Sequence, residues 1–186
     1  CRSVKSLPRD ISLFTIGEDI YASATPSEEV SSLRTSTAEI ETFLVDNAAS
    51  KDVAVGGYDA YEVSFTLKPQ FEGKTKVTLC NACGEKFSLE FDTENMTVLA
   101  DRSESGKMTR IKSFVLMPAA PLGLCNSSDG YDVDVFVDKC SVEVFVDGGR
   151  IAMTNLVFPS ESFDNIVFES TGESEISNMF IHKIGK

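Results

Sequence analysis

Between residues 131 and 146 apolar side chains recur at every second position. Tyr131, Val133, Val135 and Val137 share one face, and Asp132, Asp134, Phe136 and Asp138 share the other. After a turn near Lys139, Val142, Val144 and Val146 repeat the pattern against Glu143 and Phe145. A period of two marks a strand with one face in a core. Asp147-Gly148-Gly149 supplies a turn, because its glycines accept positive φ. Arg150 to Phe158 reads as the next strand, stopped by Pro159. These runs predict an antiparallel meander with a valine-rich inner face and an acidic outer face.

The same period governs most of the chain. Tyr61, Val63, Phe65 and Leu67 alternate with Glu62, Ser64, Thr66 and Lys68. Val77 and Leu79, then Phe87, Leu89 and Phe91, then Met96, Val98 and Ala100 continue it, and Ile166–Glu169 and Ile176–Ile184 close the series. Residues 38–45 read as one strand, and residues 11–16 as a strand buried on both faces. Gly, Asn and Asp clusters separate the runs. Many short strands with turn signals between them predict an all-β sandwich or barrel. One short helix is expected near residues 26–34: Thr25-Pro26-Ser27-Glu28 matches a capping box, with Pro26 at the first helical position. No repeat or linker divides the chain, so its 186 residues are expected to form a single domain, 1–186.

Composition narrows the function. Lys and Arg total 17 against 29 Asp and Glu, a net charge of −12, which argues against a nucleic-acid partner. No apolar run approaches the roughly 20 residues of a membrane-spanning helix. The chain opens on Cys1, which reads as a boundary inside a longer polypeptide, with a lipid-bearing cysteine as the alternative. The five cysteines stand at irregular spacing and do not make a disulfide framework. Cys80-Asn81-Ala82-Cys83 lacks the second pair of a zinc site and the following helix of a redox motif, so it reads as a turn between strands. No metal and no cofactor is expected.

The residues offer no catalytic constellation. Asp132, Asp134 and Asp138 lie on the outer face of a strand and read as solvated surface. Asp101-Arg102-Ser103-Glu104-Ser105-Gly106 reads as a polar loop without a histidine base. His182, the single histidine, reads as a surface or edge-strand residue. Phe136 and Phe145 stand out, because inward valines turn both rings outward on neighbouring strands. An outward aromatic pair marks a contact surface. With no tryptophan to stack on a sugar, a protein contact is favoured, with cover by a loop of this same chain as the alternative; Phe136, Glu143 and Phe145 are the interdomain or ligand contact candidates.

In order, several segments resemble the C-terminal β-sandwich of family-32 glycoside hydrolases, the invertases, levanases and inulinases. Ser6-Leu7-Pro8-Arg9-Asp10-Ile11-Ser12-Leu13 is similar to the family's LPREL-x-L entry. Thr25 to Arg34 resembles its P-x-x-E-x-x-x-L-R segment, and Asp101 to Gly106 its DRS-x-SG turn. Ser141 to Gly149 resembles S-x-EVFV-N-DG, and Phe158-Pro159 the FP that ends the next strand. The resemblance implies two antiparallel sheets packed face to face, a concanavalin-like jelly roll. It also implies a partner, the N-terminal five-bladed catalytic propeller of the same parent chain. The family's catalytic Asn-Asp-Pro, Arg-Asp-Pro and Glu-Cys motifs do not occur here, so no catalytic residue is carried over. The implied role is a non-catalytic module that supports a secreted or periplasmic enzyme cleaving β-fructofuranosidic bonds in fructans or sucrose. A fructo-oligosaccharide is a possible further ligand. A stand-alone carbohydrate-binding module and a concanavalin-like interaction or adhesion domain stay open as alternatives.

Overall fold

The computed structural model describes residues 5–107, 118–126 and 128–185; Cys1 lies outside them. In chain order the strands are β1 (Arg9–Ile16), β2 (Asp19–Pro26), β3 (Arg34–Ile40), β4 (Phe43–Val45), β5 (Lys51–Ala54), β6 (Tyr61–Pro69), β7 (Lys74–Cys80), β8 (Lys86–Asp92), β9 (Thr97–Asp101), β10 (Ala120–Pro121), β11 (Tyr131–Asp138), β12 (Ser141–Val146), β13 (Ile151–Leu156), β14 (Asn165–Ser170) and β15 (Ser174–Ile184). Among the described residues they form two large antiparallel sheets and a hairpin. One sheet runs β10-β9-β8-β7-β14-β5 and the other β13-β12-β11-β6-β15-β3, with β4 also pairing β15. The hairpin β1–β2 belongs to neither.

The alternation explains the packing. Val77, Leu79, Phe87, Leu89, Phe91, Ile166 and Phe168 of the first sheet meet Val63, Phe65, Leu67, Val133, Val135, Val142 and Val144 of the second in one buried cluster. Aromatic rings cross the interface: Phe65 meets Phe168 edge-on with ring centroids 5.5 Å apart, and Phe91 lies against Tyr131. Each fully buried side chain of this size contributes about 1.5–3 kcal/mol, which makes this layer the main source of stability. The predicted meander is present, with β11 pairing β12 and β12 pairing β13.

Three local readings are corrected. The run 38–45 is two strands, β3 and β4, both laid along β15. The capping box does not form: Thr25 and Pro26 end β2, Glu28–Leu33 is a 3-10 helix, and its N-cap Ser27 makes no side-chain capping bond. Strand β1 is present, but Ile11 and Leu13 are exposed rather than buried on both faces.

Strand β15 contains a feature that alternation alone does not predict. Its register against β6 shifts between Ser177 and Phe180, with Asn178 at φ 50°. This bulge keeps Ile176, Met179 and Ile181 in the core and turns His182 to the outer face. His182 is therefore no edge residue. It is buried, its strand lies between β6 and β3, and its Nδ1 lies 2.8 Å from Thr37 Oγ1.

Candidate functional site

The outer face of the second sheet carries one transverse row of polar and aromatic side chains. Strand pairing aligns Thr37, His182, Glu62, Phe136, Glu143 and Thr154 across β3, β15, β6, β11, β12 and β13. The strand period puts them all on the side away from the core. A solvated row was expected here. Instead Glu62 is 1% exposed, Glu143 4% and Phe136 7%.

The cover comes from the N-terminal segment of the same chain. Leu7 and Val30 pack with Phe136 and Phe145, whose rings meet edge-on with centroids 5.9 Å apart. The outward direction of both phenylalanines holds, and their expected exposure does not: residues 5–34 seal them. These rings therefore form the seat of that segment rather than a free contact face.

Two arginines fasten the segment. Arg9 donates from Nη2 to Glu143 Oε2 at 2.5 Å and to Thr154 Oγ1, and its guanidinium lies 4.9 Å from the centroid of the Phe145 ring. The backbone N–H of Leu7 donates to the other Glu143 oxygen at 2.8 Å. Arg34 grips Glu62 with two bonds, Nε to Oε2 at 2.7 Å and Nη2 to Oε1 at 2.5 Å. Each buried carboxylate thus has a charged partner, which burial demands. The bond to Glu62 raises the Arg34 pKa, while burial and then the Arg34 charge hold the His182 ring below its ordinary value.

Asp134 lies on the same face of β11, two positions before Phe136. Burial, and then repulsion by Glu62, push its carboxyl up to about 6 against the pull of Arg34. Arg34, Glu62, Asp134, Phe136, Ser27 and Gly148 border a groove of about 280 Å³ between the segment and the sheet.

The hairpin is held at a third point. Ala24 N–H donates to Gly149 O at 2.9 Å, and a Cβ on Gly149 would lie 2.1 Å from Ala24 O. Arg150, next in the chain, sits 4.5 Å from the centroid of the Phe14 ring, which stacks on Tyr21. The glycine is therefore needed for close approach as well as for its φ of 75°.

The other singled-out motifs are structural. In the turn after β9, Ser103 N–H donates to Asp101 Oδ1 and Ser105 Oγ to Arg102 O, while Phe158 N–H donates to Ser105 O. In the Cys80–Cys83 turn, Asn81 Oδ1 accepts from the N–H groups of Cys83 and Glu85. Burial raises the Cys80 thiol, and it pushes Cys125 up to about 12 with help from Asp147. Among the described residues no group of three or more His, Cys, Asp and Glu is placed to hold a metal ion, and no helix is long and apolar enough to cross a membrane.

Phe136, Glu143 and Phe145 were singled out from the sequence as interdomain or ligand contact candidates, and here they hold the chain's own N-terminal segment; Arg9, Arg34, Glu62 and Gly149 were not singled out. The signal for both arginines was present, since each sits in one of the ordered segments that carry the resemblance.

Two packed antiparallel sheets with an N-terminal hairpin strapped to one outer face define a β-sandwich module. The chain belongs to the glycosyl hydrolases family 32 C-terminal domains, whose family model matches residues 29–183. A levanase of Bacillus subtilis (strain 168) is 26% identical over 189 residues, covering 100% of this chain and 28% of the levanase. An extracellular exo-inulinase of Aspergillus awamori is 26% identical over 175 residues, covering 92% of this chain and 32% of the inulinase. The solved structure of an exo-inulinase from Aspergillus awamori superposes with a TM-score of 0.76 at 25% identity, covering 97% of this chain and 36% of that one. A β-fructofuranosidase from Schwanniomyces occidentalis has the same fold, with a TM-score of 0.77 at 19% identity and 97% and 40% coverage. The chain thus spans about a third of the length of these relatives.

Proposed function

We propose that this chain is the non-catalytic C-terminal module of a β-fructosidase, and that it supports the catalytic portion of the same polypeptide. The observation that carries this reading is the family match over residues 29–183 joined to a face on which Phe136, Glu143 and Phe145 anchor the chain's own N-terminal segment. Buried arginine–glutamate pairs and a packed aromatic seat give that segment a fixed direction, as a rigid interdomain connection needs. Residues 1–186 act as one module, with the hairpin as its arm. The substrate of the whole enzyme is a fructan or sucrose, in line with the levanase and exo-inulinases that the chain resembles. Secretion follows the same relatives, which include an extracellular exo-inulinase.

The test is hydrolysis of sucrose, inulin and levan by the purified 186-residue chain. No fructose release is expected, and measurable turnover would overturn the non-catalytic reading. A second reading is binding of a fructo-oligosaccharide, favoured by the polar groove beside Arg34, Glu62 and Asp134. Titration with inulin-derived oligosaccharides separates the two, because a pure support module shows no saturable heat.

A further inference from the structure

The hairpin β1–β2 leaves large apolar side chains uncovered on the face turned away from the sandwich. Ser12, Phe14, Tyr21 and Ser23 share one face, on which Ser23 is buried and Phe14 lies under Arg150. Ile11, Leu13, Thr15, Ile20, Ala22 and Ala24 share the other, through the pairs Ile11–Ala24, Leu13–Ala22 and Thr15–Ile20. On that face Ile11, Leu13 and Ile20 are 67%, 73% and 69% exposed. The face toward the sandwich thus carries Phe14 and Tyr21 with two serines, while the face turned away leaves three large aliphatic side chains uncovered. Beyond the bond from Ala24 to Gly149, neither outer edge of the hairpin pairs with another strand among the described residues. A two-stranded ribbon is marginal by itself, and an open apolar ribbon is an association surface.

The position of the hairpin identifies its occupant. The C-terminal family model starts at residue 29, after the hairpin has ended. The match to the Bacillus subtilis levanase nevertheless covers all of this chain, hairpin included, and only 28% of the levanase. The match to this much longer relative thus takes in the hairpin's sequence, which precedes the stretch that the C-terminal family model covers.

We infer that the Ile11–Leu13–Ile20 face is the docking surface for the catalytic portion of the polypeptide, buried against an apolar face of it. This rests on the support role proposed above. The clasp of Arg9 and Arg34 fixes the base of the arm on the sandwich, and the arm carries the contact across.

The test uses the whole polypeptide and the 186-residue chain, each with and without the joint substitution Ile11→Glu, Leu13→Glu and Ile20→Glu. In the 186-residue chain the substitution is expected to move the melting temperature by less than about 2 °C, because the three side chains are exposed. In the whole polypeptide the amides of residues 9–26 are expected to exchange at least tenfold more slowly than in the 186-residue chain. The substitution is expected to erase that protection and to split one cooperative unfolding transition into two. If the unsubstituted whole polypeptide unfolds cooperatively and the substitution changes neither readout, docking lies elsewhere: the inference fails and the support role stands. If the unsubstituted polypeptide already shows two independent transitions, the support role fails and takes the inference with it. If the 186-residue chain self-associates and the substitution abolishes this, the occupant is a second copy and the inference is overturned.

Discussion

Arg9 and Glu143 stand 134 residues apart and meet through a 2.5 Å hydrogen bond on the outer face of the second sheet. The carboxylate is nearly fully buried, and Leu7 N–H takes its second oxygen. Truncating one partner leaves the other charge uncompensated. Glu143→Ala is therefore expected to cost about 2–4 kcal/mol in chemical denaturation. A cycle with Arg9→Ala should show a coupling above about 1 kcal/mol, and additive losses would mean that the pair is incidental.

Gly149→Ala attacks the same segment by sterics. The added Cβ meets Ala24 O at 2.1 Å, and the φ of 75° disfavours any side chain. A loss of about 1–3 kcal/mol is expected, with the hairpin displaced while the sandwich stays intact. Limited proteolysis reads this directly, as cleavage near Gly17 before any cleavage in β6 or β11.

Asp134 makes stability depend on pH. Its folded pKa of about 6 lies above the unfolded value of about 3.9. Between these values the folded chain holds more protons than the unfolded one, so this group's contribution to stability falls as pH rises from about 4 to 6. Asp134→Asn removes the penalty. A gain of about 1–3 kcal/mol is expected at pH 8, vanishing near pH 3.5. Thermal unfolding across that range checks it, and an equal effect at both ends would contradict the assignment.

Phe145 is a packing residue with one face under a guanidinium. Phe145→Ala is expected to cost about 3–5 kcal/mol, whereas Phe145→Leu should keep most of the contact with Val30 and lose only the ring beneath Arg9. Urea unfolding of both variants separates volume from cation–π attraction.

The sandwich was legible because its strands alternate: the valines of β11 and β12 and the phenylalanines of β8 each name their own inner face. Alternation also gave the side on which Phe136 and Phe145 lie. It could not give what covers them, because cover depends on a segment more than a hundred residues away in the sequence. Strand β2 was hidden by Thr25-Pro26-Ser27-Glu28, which reads equally as a helix start. The bulge at Asn178 was hidden because an asparagine at positive φ leaves no mark on the hydrophobic pattern. The clasp was half legible: the ordered motifs held Arg9, Arg34 and Glu143, but pairing them needed the topology.

Support of a catalytic portion is the central claim, and heat inactivation tests it most directly. The whole polypeptide and a version truncated after Pro26, which keeps the hairpin, are heated in steps and assayed for fructose release from levan. The account predicts that truncation lowers the temperature of half-inactivation by at least 5 °C, while the initial rate at low temperature stays within about twofold. Equal inactivation temperatures would contradict it.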